Sequence, residues 1–330
     1  MKKPKILIEL LPNFYQYNAR FVQNFEQLGY DVRLVFSEGE QAPSQEEFQK
    51  AFSGCDACVV CIWPVTAELM DLAPGLKIIS VYGAGTDKID LEAASQRGIA
   101  VVNAAGGNAV AVAEMTFGHM LSLSRRIQTA NYGMKQSIWK NYVGAEMRGK
   151  TYGLMGIGAI GGQVARIARL GFDMKILAYD VVPRREFVEQ YGVTYVDQET
   201  LFRESDYISI HTPLLPSTRG AVNGHLLGLM KPTAFLVNAA RGGVLDEDAL
   251  YEALLEGRIA GAGLDVYASE PCLDNRFARF ENVVNTCHMA GNTVDAIVRM
   301  GEGITENIRA CLQNEGTLRN VVNPQYAERT

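Results

Sequence analysis

Short aliphatic and β-branched runs alternate with helical patterns along almost the whole chain. That rhythm restricts the fold to βαβ units carrying parallel sheets. Five strands are expected in the first hundred residues, at Lys5–Leu10, Asp31–Phe36, Ala57–Ile62, Leu76–Val81 and Ile99–Val102. A second series is expected at Thr151–Ile157, Lys175–Tyr179, Val193–Val196, Tyr207–Ile210, Ala234–Asn238, Gly261–Val266 and Val283–Thr286. Two long helical patterns, Ala109–Ile127 and Thr293–Gln313, fit inside neither series and read as the crossings between them. The expected architecture is α/β, with two doubly wound parallel-sheet domains and an active-site cleft between them. Their boundaries are expected at 1–102 with 300–330 for a discontinuous first domain, and at 103–299 for the second. At 330 residues the chain exceeds one ordinary core and accommodates both.

Several function classes are excluded early. The formal net charge is −6 and no Lys/Arg cluster is present, so no nucleic-acid partner is expected. No apolar run approaches the ~20 residues of a membrane helix. The first apolar run is interrupted by Glu9 and ended by Pro12, so it reads as a core strand rather than a signal peptide, and a cytoplasmic location is the default. Cys55, Cys58 and Cys61 form a C-x-x-C-x-x-C pattern that could open an iron–sulfur site. The next residues, Ile62-Trp63-Pro64-Val65, supply no fourth thiolate, and small core residues are the better reading. The four histidines have no metal-ligand spacing, so no metal is expected.

The segment Gly156-Ile157-Gly158-Ala159-Ile160-Gly161 is a G-x-G-x-x-G loop between an expected strand and an expected helix. The first glycine permits the tight turn, the second lets the backbone approach a pyrophosphate, and the third allows close helix–sheet packing. The helix N-terminus offers unpaired N–H groups and partial positive charge to the phosphates. The next strand ends in Asp180, about 20 residues on, where a carboxylate accepts from ribose hydroxyls and repels a 2′-phosphate. This favours NAD, with NADP less favoured although Arg184 and Arg185 follow closely. A Rossmann-like second domain follows from the loop.

Three later strands run into charged residues: Leu236–Asp246 carries Arg241, Gly261–Pro271 carries Asp265 and Glu270, and Asn285–Gly291 carries His288. In an open α/β sheet, ligands bind beyond the carboxyl ends of strands. Together with Val81–Asp90, Asn108–Glu114, Leu170–Met174 and His211-Thr212-Pro213-Leu214, these segments resemble the D-isomer-specific 2-hydroxyacid dehydrogenases, which include phosphoglycerate dehydrogenases and glyoxylate/hydroxypyruvate reductases. The resemblance covers nearly the whole chain.

It implies an oxidoreductase that interconverts a D-2-hydroxy acid and its 2-oxo acid by hydride transfer with NAD, on two Rossmann-like/flavodoxin-like domains, the second of them binding NAD. Arg241 would hold the substrate carboxylate, its planar fork suiting bidentate binding. His288 would be the acid/base, and Glu270 its carboxylate partner. His211, Thr212, Pro213, Ala239, Ala240, Asp265, Ala290 and Gly291 would join Gly156, Gly158, Ala159, Ile160, Gly161 and Asp180 around the cofactor. Tyr82, Gly83, Ala84 and Gly85 would meet the substrate with Arg241 and His288. A homodimer is implied, through the long helix after Glu114, where the apolar stretch Met115–Leu123 suits a buried interface and equally a core helix. The alternative is an NAD(H)-sensing, corepressor-like binding protein on the same fold. His119 and His225 keep the default of packing.

One departure concerns Cys287, which stands where many of these enzymes carry proline before the histidine. The substrate stays open. Ile62-Trp63-Pro64 and Val81-Tyr82-Gly83 are bulky and uncharged with no Lys or Arg in view, which tilts the reading towards a small or apolar 2-oxo acid rather than a phosphorylated one.

Overall fold

Every pairing between strands is parallel. The computed structural model describes residues 3–37 and 42–329. They fall into two units: one takes the chain up to Asn108 and again from Asn292, and the other is Ala109–Gly291.

The first unit holds β1 (Lys5–Leu10), β2 (Asp31–Phe36), β3 (Ala57–Val60), β4 (Ile78–Val81) and β5 (Ala100–Asn103), in the order β2-β1-β3-β4-β5. This is the flavodoxin-like order. All residues of β3, β4 and β5 are buried, as covering on both faces requires, so these strands read as continuous apolar runs without alternation. Cys55 and Cys58 belong to that core beside Phe48, Phe52 and Val60. Among the described residues no His, Cys, Asp and Glu group is arranged to hold a metal.

The returning helix Val294–Gln313 packs on β4 and on the helix Ala19–Gln27. The Tyr82 hydroxyl donates to the Ile297 carbonyl at 2.7 Å, and a Cβ on Gly107 would meet the Met300 side chain at 2.7 Å. These contacts place the whole helix and the 103–108 segment in the first unit. The divisions therefore lie at 108/109 and 291/292 rather than at the expected 102/103 and 299/300. Beyond the helix, Asn323 is fully buried: its Oδ1 accepts from the Val101 N–H, and its Nδ2 donates to the Ile99 carbonyl and the Ser95 hydroxyl.

The second unit holds β6 (Thr151–Met155), β7 (Lys175–Tyr179), β8 (Val193–Tyr195), β9 (Tyr207–Ile210), β10 (Phe235–Asn238), β11 (Gly261–Leu264) and β12 (Val283–Asn285). Their order is β12-β11-β10-β9-β6-β7-β8. Counted from β6 this is the Rossmann order with a seventh strand added, and the order reverses between β6 and β9. The helix Ala109–Arg125 packs on this sheet and on the helix Ala159–Phe172. Its Phe117, Met120 and Leu123 are buried beside Tyr152 and Leu154, and Phe117 stacks on Phe172 at 5.2 Å. The apolar side of the 115–123 stretch is thus core, one of the two readings its composition left open. Burial against the sheet produces the same apolar pattern that an interface would.

Asn323→Ala would leave the buried Val101 N–H and Ile99 carbonyl without partners. It is expected to lower stability by about 2 kcal/mol, read as a fall in the urea midpoint.

Candidate active site

The turn after β6 is built around Gly156, whose φ of +92° suits glycine. A Cβ there would lie 2.9 Å from the His211 carbonyl carbon, so the turns after β6 and β9 touch where the strand order reverses. A Cβ on Gly161 would lie 2.4 Å from the Gly156 oxygen, which explains the third glycine. Gly158 faces open space and precedes the helix Ala159–Phe172, whose N-terminus no side chain caps. Asp180 accepts from the Ile157 N–H at 2.7 Å and from the Val182 N–H at 2.9 Å, which ties the turn to the end of β7. A carboxylate has about four lone-pair sites, so capacity remains for ribose hydroxyls. Ala239 and Ala290 form an apolar cluster with Val112, against which Ile160 packs. An open glycine turn, an uncapped helix N-terminus, a strand-end carboxylate and an apolar wall together fit a dinucleotide.

His211 hydrogen-bonds the Ser209 hydroxyl at 2.8 Å, and its buried Nδ1 has no partner. Burial pushes its imidazole down to about 3, which favours the neutral form. Thr212 binds the Met155 carbonyl, and Pro213 accepts from Thr218 through its own carbonyl.

Arg241, Glu270 and His288 come from the ends of β10, β11 and β12. Glycine brings the first two loops together: a Cβ on Gly242 would lie 1.9 Å from the Tyr267 carbonyl carbon, closer than any side chain allows. Asn238 fixes the Arg241 turn, its Nδ2 donating to the Arg241 carbonyl and its Oδ1 accepting from the Ala240 N–H. Arg241 Nη1 donates to the Ala240 carbonyl at 2.8 Å. Glu270 accepts from the Tyr267 N–H at 3.0 Å through Oε1 and meets His288 Nδ1 at 2.6 Å through Oε2. Burial alone would push the half-buried Glu270 carboxyl up. The His288 and Tyr267 hydrogen bonds, with the charges of His288 and Arg241, outweigh it and hold the group below the usual carboxylate range. The pairing leaves His288 Nε2 as the nitrogen not committed to Glu270.

His288 has φ +52°, a left-handed backbone that Asp265 holds in place. Asp265 is 1% exposed. Its main-chain oxygen accepts from the His288 N–H at 2.7 Å, and its carboxylate accepts from the Met289 and Ala290 N–H groups and the Thr286 hydroxyl. Asp265 therefore organises the histidine loop, a role that reading it as a cofactor ligand missed. Gly242 and Thr286 were also missed, since neither residue type signals chemistry by itself.

In the first unit, Tyr82 corrects the expectation. Its side chain is 3% exposed, packs on Phe14 and Phe21 and bonds Ile297, so it is structural and only its main chain can meet a substrate. The Gly83 and Ala84 carbonyls are pinned by the Ala104 N–H and Asn103 Nδ2, which fixes the 83–85 turn. Glu9, fully buried, accepts from the Cys61, Ile62 and Trp63 N–H groups and clamps the loop after β3; burial pushes its carboxyl up. That loop does have a cation beside it, against the expectation of none. Lys88 Nζ donates to the Ile62 carbonyl at 3.0 Å.

Residues 117–290 match the family model described as D-isomer specific 2-hydroxyacid dehydrogenase, NAD binding domain. The chain is 42% identical to a hydroxypyruvate reductase of Thermotoga maritima over 270 residues, covering 80% of this chain and 87% of that one. It is 42% identical to a D-3-phosphoglycerate dehydrogenase of Synechocystis sp. over 250 residues, covering 75% of this chain and 45% of that one. The chain thus spans about half the length of the phosphoglycerate dehydrogenases it matches. Among solved structures, the D-lactate dehydrogenase of Aquifex aeolicus complexed with NAD and lactic acid has a TM-score of 0.81 at 29% identity, covering 94% of this chain and 96% of that one.

Gly242→Ala is expected to destabilise the protein by about 3 kcal/mol, because backbone rather than a flexible side chain meets the new methyl. Gly228→Ala, in a helix with open space around it, is the control, with a change within about 0.5 kcal/mol. Urea denaturation of the two variants checks the contrast.

Proposed function

Because the chain belongs to the D-isomer specific 2-hydroxyacid dehydrogenase family, we propose that it interconverts a D-2-hydroxy acid and its 2-oxo acid with NAD as partner. The observation that carries this reading is the 2.6 Å pair of His288 Nδ1 and Glu270 Oε2, beside the charge of Arg241. NADH, when bound, supplies the hydride, and the remaining work falls to the chain. The Arg241 guanidinium takes the substrate carboxylate and orients the carbonyl. Glu270 engages Nδ1, so the His288 proton leaves from Nε2 towards the substrate oxygen; in the reverse direction Nε2 takes it back. Asp180 supports NAD over NADP, since a carboxylate at the end of β7 disfavours a 2′-phosphate.

The substrate reading is a small or apolar 2-oxo acid. In the first unit, Ile62, Trp63, Pro64 and Leu69 line a cavity of about 790 Å³ in which Glu68 is the sole charged lining side chain among the described residues. Phe48 stacks on Trp63 at 4.1 Å and holds it there. Lys88 is the counterweight, so 3-phosphohydroxypyruvate belongs in the test panel beside glyoxylate, hydroxypyruvate, pyruvate and branched 2-oxo acids. Loss of NADH absorbance with at least one of them is the expected result, and none with any would sink the reading.

A second copy of the chain is the proposed partner, through a different surface from the one first expected. Tyr132, Met134, Ile138, Trp139 and Val143 are all more than half exposed within a short stretch of the second unit, and Trp139 and Val143 are about nine-tenths exposed. So much clustered apolar surface marks an interaction site. Light scattering should give a dimer mass, reduced to the monomer by Trp139→Ser combined with Val143→Ser.

His288→Asn is expected to cut turnover about 100- to 10,000-fold with NADH affinity nearly unchanged, measured by steady-state rates and fluorescence titration. Glu270→Gln removes the counter-charge of the imidazolium, the form needed for reduction. The alkaline limb of the reduction profile should therefore move to lower pH by about 1 unit, and an unmoved limb would refute the pairing.

A further inference from the structure

The second unit contains a buried histidine that the proposed chemistry does not use. His119 lies in the helix Ala109–Arg125, is 2% exposed, and reaches Thr286 with Nε2 at 3.1 Å from Oγ1. The Thr286 hydroxyl in turn meets Asp265 Oδ1 at 2.5 Å. A hydroxyl has one proton, and a carboxylate only accepts, so that proton goes to Asp265. Thr286 Oγ1 must then accept from His119, which places the imidazole proton on Nε2. The chain continues from Asp265 to the Met289 and Ala290 N–H groups, and the Asp265 carbonyl takes the His288 N–H.

The rest of the surroundings agree with this arrangement. His119 Nδ1 is buried with no partner, and it sits against Gly263 of β11, where a Cβ would come within 2.9 Å of the ring nitrogen. An orphaned nitrogen destabilises a core. A leucine or methionine would fill the same space without that cost, so the Nε2 bond is the feature that sets histidine apart here. Burial lowers the imidazole pKa, which keeps it in the neutral form that this hydrogen-bond direction requires.

We propose that His119 is a positioning residue: by donating from Nε2 to Thr286 it aims the Thr286 hydroxyl at Asp265 and so fixes the loop that carries His288. This rests on the reading of His288 as the proton donor. The loop's left-handed turn is held by Asp265 from its own sheet, and His119 adds the hydrogen bond that ties it to the helix Ala109–Arg125, beside the packing of Ala290 on Val112. Without that anchor the loop keeps its fold but samples positions in which Nε2 is misdirected. Turnover then falls while cofactor binding does not.

The test compares kcat and KM of the full chain carrying His119→Leu, His119→Gln, Thr286→Val, and His119→Leu with Thr286→Val. His119→Leu is expected to lower kcat about tenfold with KM for NADH unchanged, well short of the ~100-fold that a 1 Å misplacement costs. His119→Gln, which keeps an N–H donor, should recover most of the rate. The double variant should be no slower than Thr286→Val alone, since both changes break one chain. A parental kcat in His119→Leu, or a double variant whose loss is the product of the single losses, overturns the proposal. The unmodified protein supplies an arm that needs neither turnover nor a folded variant. Nitrogen-15 spectra of its labelled imidazoles at neutral pH should show the His119 proton on Nε2, and a proton on Nδ1 overturns the assignment. Failure of the His288 reading would show separately, as full activity in His288→Asn.

Discussion

Successive strands of a parallel sheet must be entered from the same edge, so the turns leaving their carboxyl ends collect on the opposite one. That constraint assembles the second unit's site. Gly156, Asp180, His211, Arg241, Asp265 and Thr286 each follow a different strand, from β6 to β12. Residues far apart along the chain become neighbours without any of them needing to be close in sequence. The parallel order delivers the turns to one edge but does not fix their conformation. Carboxylates do that: Asp180 takes the Ile157 N–H, Asp265 takes the Met289 and Ala290 N–H groups, Glu270 takes that of Tyr267, and Glu9 takes those of Cys61 to Trp63 in the first unit. Charge-assisted bonds of this kind are about twice as strong as neutral ones and suit turns that no ladder supports.

The four clamps differ in how environment and donors balance. Glu9 is fully buried, and desolvation outweighs its hydrogen bonds, so its carboxyl titrates above the usual range. Glu270 is only half buried and takes hydrogen bonds from the His288 ring and the Tyr267 N–H, and there the donors win. The same residue type thus serves as a structural clamp in one unit and as the partner of an imidazole in the other.

Much of this was legible in the sequence. Strand positions follow from runs of β-branched residues, and the glycine turn from its spacing. Arg241, Glu270 and His288 stand out through the family resemblance, since a charged residue at a strand end, like Lys175 or Asp206, signals no chemistry by itself. The misses share a physical cause. The expected strands ran on through Ile62 and Ile157, which are apolar, yet their N–H groups bond to Glu9 and Asp180 instead of to a neighbouring strand. Tyr82 was placed at the substrate by the resemblance alone, and its hydroxyl partner, Ile297, lies too far along the chain to be read locally. Gly242 and His119 carry no local signal at all. Their importance comes from Tyr267 and Thr286, which approach only in the folded unit.

The division of the first unit between two stretches of chain bears on how the polypeptide leaves the ribosome. Ala109–Gly291 emerges as an uninterrupted segment and has every strand of its sheet before the helix Val294–Gln313 is made. The earlier stretch waits. Until that helix arrives, the Tyr82 hydroxyl lacks the Ile297 carbonyl, and the Val101 amide lacks Asn323. Synthesis therefore reverses the written order: the unit translated first is the one completed last, its five strands all made while the helix that packs on β4 is still to come.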